Sequence, residues 1–150
     1  VQTCALPILV LAFFYLKENK KVFTIQDAEN AIKYAKNKYG AEFARTFEQL
    51  LRLETNHFRS SQYINTGTGG LMVGKWGNRF KKAGVQPRGV WSALKDGKKY
   101  SYVILSSVND FADFLFSYLR DHTLSDWNGG EVPDYIERVK KIKTPITDKL

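Results

Sequence analysis

Sulfur is almost missing from this chain: one cysteine, Cys4, and one methionine, Met72, occur in 150 residues. A single thiol excludes an intramolecular disulfide framework and a cysteine-built zinc site. Histidine is nearly as scarce, with only His57 and His122, and no Gly-x-Ser-x-Gly element offers a serine nucleophile. No apolar run reaches the roughly 20 residues that a membrane-spanning helix needs. Between Thr55 and Gly130 there is no glutamate; the only carboxylates there are Asp96, Asp110, Asp113, Asp121 and Asp126.

What the chain has in quantity is apolar and basic side chains. With 43% hydrophobic and 14% aromatic residues it can bury a core, which excludes wholesale disorder. Its length suits one domain. Lys and Arg number 23 against 15 Asp and Glu, a net charge of +8. Such a balance favours a polyanionic partner: nucleic acid, an anionic membrane or an acidic wall polymer.

Val1-Gln2-Thr3-Cys4-Ala5-Leu6-Pro7-Ile8 reads as the in-frame translation of a sequencing adapter, GTT CAG ACG TGT GCT CTT CCG ATC, with every codon fitting. Sequence of that origin is set aside in fold reasoning. The biological chain is then expected to begin near Leu9, truncated upstream and without a native cysteine. Residues 9–16 are all apolar but too few to cross a bilayer. They are either the surviving end of an N-terminal anchor or signal segment, with residues 17–21 as its polar flank, or an ordinary buried helix. No small-residue cleavage site follows, which favours an anchor over a cleaved signal. The domain itself is expected over residues 22–150.

Thr24 and Asp27 form a weak capping box, after which Ile25, Ala28, Ile32 and Ala35 recur at helical spacing until Gly40. A second helix is predicted from about Ala41 to Asn56, its apolar stripe carrying Phe43, Phe47, Leu50, Leu51 and, in the same register, Glu54. From Phe58 to Lys99 the periodicity fades into Gly, Ser, Thr and Asn, predicting loop with short helical pieces. Residues 90–94 and 100–105 flank Asp96-Gly97, a hairpin signal. Ser107 caps a helix bearing Phe111, Phe114, Leu115, Tyr118 and Leu119, and Pro133 suits the first turn of a last helix with Ile136, Val139 and Ile142 inward. The fold class is mainly α (α+β): helices around one small β-hairpin.

Glu54 is the most informative residue. A carboxylate on an apolar stripe loses solvation, and unless paired its pKa rises until it can hold a proton near neutrality, as a general acid must. The competing expectation is an ion pair with Arg52 or Arg59 in solvent. Glu54-x-x-His57 has the spacing of a di-metal ligand pair, but the second such pair is missing; neither metal nor cofactor is expected. Gly69-x4-Gly74-Lys75 fails as a phosphate loop because Trp76 stands where Ser or Thr must be. Lys75-Trp76 through Arg79-Phe80-Lys81-Lys82, with Arg88 and Trp91, interleaves cations with aromatics of a kind that stack on bases or sugars, but a solvated loop with buried aromatics is the favoured reading, since most charge runs face solvent.

From Glu54 onward the order of motifs resembles the lytic transglycosylases of the lysozyme superfamily. A catalytic Glu at a helix end, a Gly-Leu-Met-Gln element, an aromatic-Asn-x-Gly element and a Tyr-Val-x-x-Val helix are matched by Glu54, Gly70-Leu71-Met72-Val73, Trp127-Asn128-Gly129-Gly130 and Tyr135-Ile136-Glu137-Arg138-Val139. Gly67 also matches a family glycine. Val73 replaces Gln, Ile64 stands where Ser is usual, Thr55 where Ser is common, and Trp127 where Tyr is usual, so Asn65 or Thr66 is left to supply a polar contact. The helix after Ser107 is also similar to bacterial glucosaminidases, which draw a second carboxylate from the hairpin lobe.

The resemblance implies a lysozyme-like domain that cleaves the N-acetylmuramic acid–N-acetylglucosamine bond of peptidoglycan outside the cytoplasm, in a bacterial or phage protein. It implies Glu54 as acid and then base, with Gly70, Met72, Trp127, Asn128, Tyr135 and Thr66 around the substrate. Peptidoglycan strands then replace nucleic acid as the expected partner of the +8 charge, of a chain expected to be monomeric. The alternatives are a hydrolytic glucosaminidase or muramidase, a non-catalytic wall-binding module, and a basic nucleic-acid-binding domain. Asp96, Asp110 and Asp113 each have a turn, cap or helix role, which favours the mechanism with one carboxylate.

Overall fold

A computed structural model describes residues 21–129 and 132–150. The adapter-like residues and all but Lys21 of the proposed anchor remnant lie outside the described residues. The elements run α1 (Ile25–Tyr39), α2 (Ala41–Glu54), α3 (Ser61–Thr66), α4 (Arg79–Ala83), β1 (Gly89–Lys95), β2 (Lys98–Ile104), α5 (Val108–Asp121), α6 (Leu124–Trp127), α7 (Tyr135–Lys141) and α8 (Pro145–Lys149). This is a mainly helical protein with one two-stranded antiparallel hairpin.

Helix α1 starts where Thr24 and Asp27 exchange capping hydrogen bonds: the Asp27 N–H donates to Thr24 Oγ1 at 3.2 Å and the Thr24 N–H to Asp27 Oδ2 at 2.8 Å. Its buried face is Ala28, Ala31, Ile32 and Ala35. Small residues there let α2 and α5 approach closely. Ile25 does not join them: it lies in the first turn, 47% exposed. Gly40, at φ 95°, ends α1 and starts α2. Helix α2 then buries Ala44, Phe47, Leu50 and Leu51 against Phe111, Phe114 and Leu115 of α5 in one core, each such side chain contributing about 1.5–3 kcal/mol of burial.

The hairpin turns on Asp96 and Gly97, both at positive φ, as a two-residue turn demands. Ser107 caps α5 by accepting the Asp110 N–H at 3.2 Å. The C-terminal expectation needs correction. Pro133 lies before α7, not in its first turn, and the buried residues of α7 are Tyr135 and Val139, with Ile136 and Ile142 only half-buried. Nor is α7 the last helix. The short α8 follows, fastened by Glu48 of α2, whose carboxylate accepts from the Thr147 N–H at 2.8 Å, the Thr147 hydroxyl at 2.7 Å and the Ile146 N–H at 3.2 Å.

Helix α2 stops at Glu54, earlier than the pattern suggested. Asn56, His57 and Phe58 follow at φ 48°, 54° and 68°, left-handed conformations that cost non-glycine residues roughly 1–2 kcal/mol each. Thr55 holds this turn. Its buried hydroxyl donates to the Leu51 carbonyl and accepts the Phe58 N–H at 2.9 Å, while the His57 N–H reaches Arg52 O at 2.8 Å. The chain thus reverses immediately after Glu54 and leaves that side chain at the helix end. Thr55→Val keeps the shape and strands the Phe58 N–H, so it should lower unfolding free energy by about 1–3 kcal/mol in urea titrations.

Candidate active site

Glu54 is partly buried at the C-terminus of α2. The Tyr135 hydroxyl, on α7 and 81 residues away, donates a short hydrogen bond to Glu54 Oε1. Among the described residues no cation pairs with Glu54 within 4.0 Å. Arg52, one of the partners considered for it, instead donates from Nε to Glu48 at 2.8 Å. Burial pushes the Glu54 carboxyl above the ordinary glutamate range, while the Tyr135 hydrogen bond and the Arg138 charge pull it part of the way back. His57 faces outward, exposed, with Nδ1 3.5 Å from Arg52 Nη1. Among the described residues no three His, Cys, Asp or Glu side chains stand together as a metal site.

The turn opposite Glu54 is built from glycine and threonine. A Cβ at Gly69 would lie 3.3 Å from Glu54 Cβ and 3.1 Å from Phe111 Cζ, so any larger residue would press those side chains back by a few tenths of an ångström. Thr68 Oγ1 accepts the Gly70 N–H at 3.2 Å and the Leu71 N–H at 3.4 Å. Thr66 belongs to this scaffold and is corrected as a substrate contact. It is fully buried, and its hydroxyl donates to Gln62 O at 2.7 Å, accepts from Gln62 Nε2 at 2.7 Å and meets Thr68 Oγ1 at 3.0 Å. Asn65 is also turned back, donating to Ser61 O at 2.7 Å.

Glu54 opens on a cavity of about 180 Å³ lined with Gly69, Gly70, Trp76, Trp127 and Asn128. A larger cavity of about 570 Å³ shares Gly70, Trp76, Trp127 and Asn128 and continues past Met72 and Lys75 to Arg79, Tyr118 and His122. The two form one groove with Glu54 at its inner end. Trp127 sits tilted against Trp76, ring centroids 5.3 Å apart, and edge-on to Tyr118. Trp76 Nε1 and Asn128 Nδ2 are buried with no acceptor among the described residues, and a buried donor without a partner costs about 1–3 kcal/mol.

Of the expected substrate residues, then, Gly70, Met72, Trp127 and Asn128 line the groove. Tyr135 lines neither cavity and instead hydrogen-bonds Glu54. Gly69, Tyr118 and Trp76 were not expected in this role: Gly69 entered only as the first glycine of a rejected phosphate loop, Trp76 as one aromatic of a basic stretch, and Tyr118 as part of the apolar face of α5. Arg79 in that loop is buried, with Nη1 2.8 Å from Asp121 Oδ2 and 3.2 Å from Ser117 O. Of the five aspartates considered as a second carboxylate, Asp126 lines the groove. Its carboxylate accepts the Thr123 N–H at 2.6 Å and hydroxyl at 2.9 Å, bonds that lower its pKa and suit it poorly to proton donation. Asp113 accepts from Tyr34, Lys38 and Tyr39, and Asp96 forms the hairpin turn.

A carboxyl whose pKa is raised on folding binds its proton more tightly in the native state than in the unfolded chain. Stability is therefore lost as pH climbs from the ordinary glutamate range through the raised value. Glu54→Gln removes the charge and keeps the shape. It should raise the melting temperature at pH 8, with the gain vanishing below about pH 4, where both states of the parent are protonated. No family model, curated protein or solved structure matches the chain, so what the groove does rests on its own geometry.

Proposed function

We propose that this chain is a lysozyme-like enzyme that cleaves the β-1,4 bond between N-acetylmuramic acid and N-acetylglucosamine in peptidoglycan, with Glu54 as the single acid and then base. The observation that carries the reading is a desolvated carboxyl without a cation partner, at the inner end of an aromatic groove. That environment favours the protonated form, which a leaving glycosidic oxygen requires. The unpartnered donors of Trp76 and Asn128 suit the carbonyl and hydroxyl oxygens of N-acetylated sugars, and the ring of Trp127 suits the apolar face of a pyranose.

Glu54 gives its proton to the glycosidic oxygen as the C1–O bond breaks, and the muramic acetamide oxygen shares the positive charge left on C1. The Glu54 carboxylate then takes the proton of the same sugar's 6-hydroxyl. O6 closes on C1, the acetamide is released, and the product is a 1,6-anhydro end with no water consumed. The wall substrate sets the site of action outside the cytoplasm, in a bacterial or phage context.

Glu54→Gln should slow muropeptide release from purified sacculi by about 10²–10⁴-fold, the usual worth of a positioned proton donor. Mass spectrometry of parent products should find anhydro ends; reducing ends alone would replace this reaction with hydrolysis, and unchanged lysis by Glu54→Gln would remove Glu54 from the chemistry. Tyr135→Phe takes away a hydrogen bond that favours the carboxylate, so the Glu54 pKa rises further. The alkaline limb of the pH–rate profile should move to higher pH in that variant, with kcat reduced about tenfold through looser positioning.

A further inference from the structure

We propose that the groove continues onto the outer face of the hairpin, where Trp91 and Tyr102 form a platform for a further sugar ring of the glycan strand. The inference rests on the glycan reading of the groove and extends it to residues outside both cavities.

The register carries it. Residues 71–73 lie along the free edge of β2: the Val103 N–H donates to Leu71 O at 2.8 Å, the Val73 N–H donates to Ser101 O at 2.9 Å, and Met72 stands opposite Tyr102. Across β2, Tyr102 is paired with Trp91 of β1. Directly paired residues put their side chains on the same face, so Met72, Tyr102 and Trp91 form a row across three strands, spanning roughly 10 Å at ordinary strand spacing. Leu71 and Val103, one position out of phase, are the residues that enter the core. The row therefore lies on the face opposite Leu71 and Val103, the side on which Met72 lines the groove, and its rings stay partly open while Ile104 at the end of that face packs against the core.

The Trp91 and Tyr102 rings lie 6.0 Å apart at 30°, both half-buried. Two near-parallel rings with a phenol hydroxyl at the margin make an apolar surface with a polar edge. A pyranose matches that chemistry through its apolar C–H face and its equatorial hydroxyls. Continuity with the Met72 end of the groove selects a linear glycan as the occupant. Lys95, Lys98 and Lys99 at the hairpin tip are exposed and stand beyond the platform, where they would meet carboxylates borne by an acidic strand.

The test uses the non-cleaving Glu54→Gln chain and N-acetylglucosamine oligomers in calorimetric titrations. The hexamer should bind about tenfold more tightly than the trimer, the scale of one aromatic contact. Adding Trp91→Ala should abolish that advantage while trimer affinity stays, and Trp91→Tyr should restore part of it. Circular dichroism melts establish that each variant is folded. A length advantage that survives Trp91→Ala overturns the platform, as does equal binding of trimer and hexamer by the parent, absence of glycan binding, or a Trp91-dependent response to single-stranded DNA alone. If the advantage depends on Trp91 yet Glu54→Gln leaves lysis unchanged, the platform stands and the catalytic reading falls.

Discussion

Taking a carboxyl group out of water is the constraint around which this molecule is arranged. Helix α2 does it twice and treats the two cases oppositely. Glu48 is fully buried and receives a guanidinium, two backbone N–H groups and a hydroxyl. A buried charge so supplied is a fastening: it ties α2 to α8, 98 residues further along. Glu54, six residues on, receives one phenol hydrogen bond and the remoter influence of Arg138. Its desolvation is left largely uncompensated, and the proton becomes the cheapest partner the site can offer.

Keeping Glu54 in that condition dictates the local architecture. The helix must end at once, so the chain takes three left-handed residues that Thr55 stabilises from beneath. The facing turn must come within contact of the Glu54 side chain, so position 69 is glycine and the turn is held from behind by the Thr66 and Thr68 hydroxyls. Gly67 obeys the same logic on the other side: at φ 72° it lets the turn lie on Phe23, whose ring a Cβ would meet at 2.7 Å. Hydroxyls that a sequence reader takes for substrate contacts are here the means of fixing backbone in a space too small for larger side chains.

Periodicity and caps made the frame legible before any coordinates: α1, α2, α5 and the hairpin all follow from local signals that tertiary packing reinforces. Glu54 was legible for the same reason, since an acid in phase with Phe47, Leu50 and Leu51 has few innocent explanations. The short helices α6 and α8 were not. A helix of four or five residues cannot hold itself: α8 depends on Glu48, a partner far away in the chain, whereas α6 carries a local capping box of Thr123 and Asp126 that went unread. Thr66 and Tyr135 were expected around the substrate; Thr66 is fully buried behind the turn and Tyr135 hydrogen-bonds Glu54. Pattern alone does not say whether a hydroxyl faces the groove, braces the turn behind it or holds the acid, because that depends on which of two nearly adjacent backbone surfaces it meets.

The excess of basic residues acquires a different meaning beside a carboxyl whose burial favours its protonated form. Positive charge near a carboxyl favours ionisation, and in this protein of net charge +8 the Arg138 charge draws Glu54 part of the way back from the shift that burial imposes. The arginines that reach the interior are bound to carboxylates, Arg52 to Glu48 and Arg79 to Asp121. Exposed cations include Lys75 before α4, Lys81 and Lys82 in α4, Lys95, Lys98 and Lys99 at the hairpin tip, Lys140, Lys141, Lys143 and Lys149 at the C-terminal end, and the arginines Arg45, Arg59, Arg120 and Arg138. At such exposed positions the field attracts a polyanion over about a Debye length, roughly 8–10 Å in ordinary salt. Attraction and acidity oppose each other where a cation nears the carboxyl, as Arg138 does, and in Glu54 burial is the larger of the two influences.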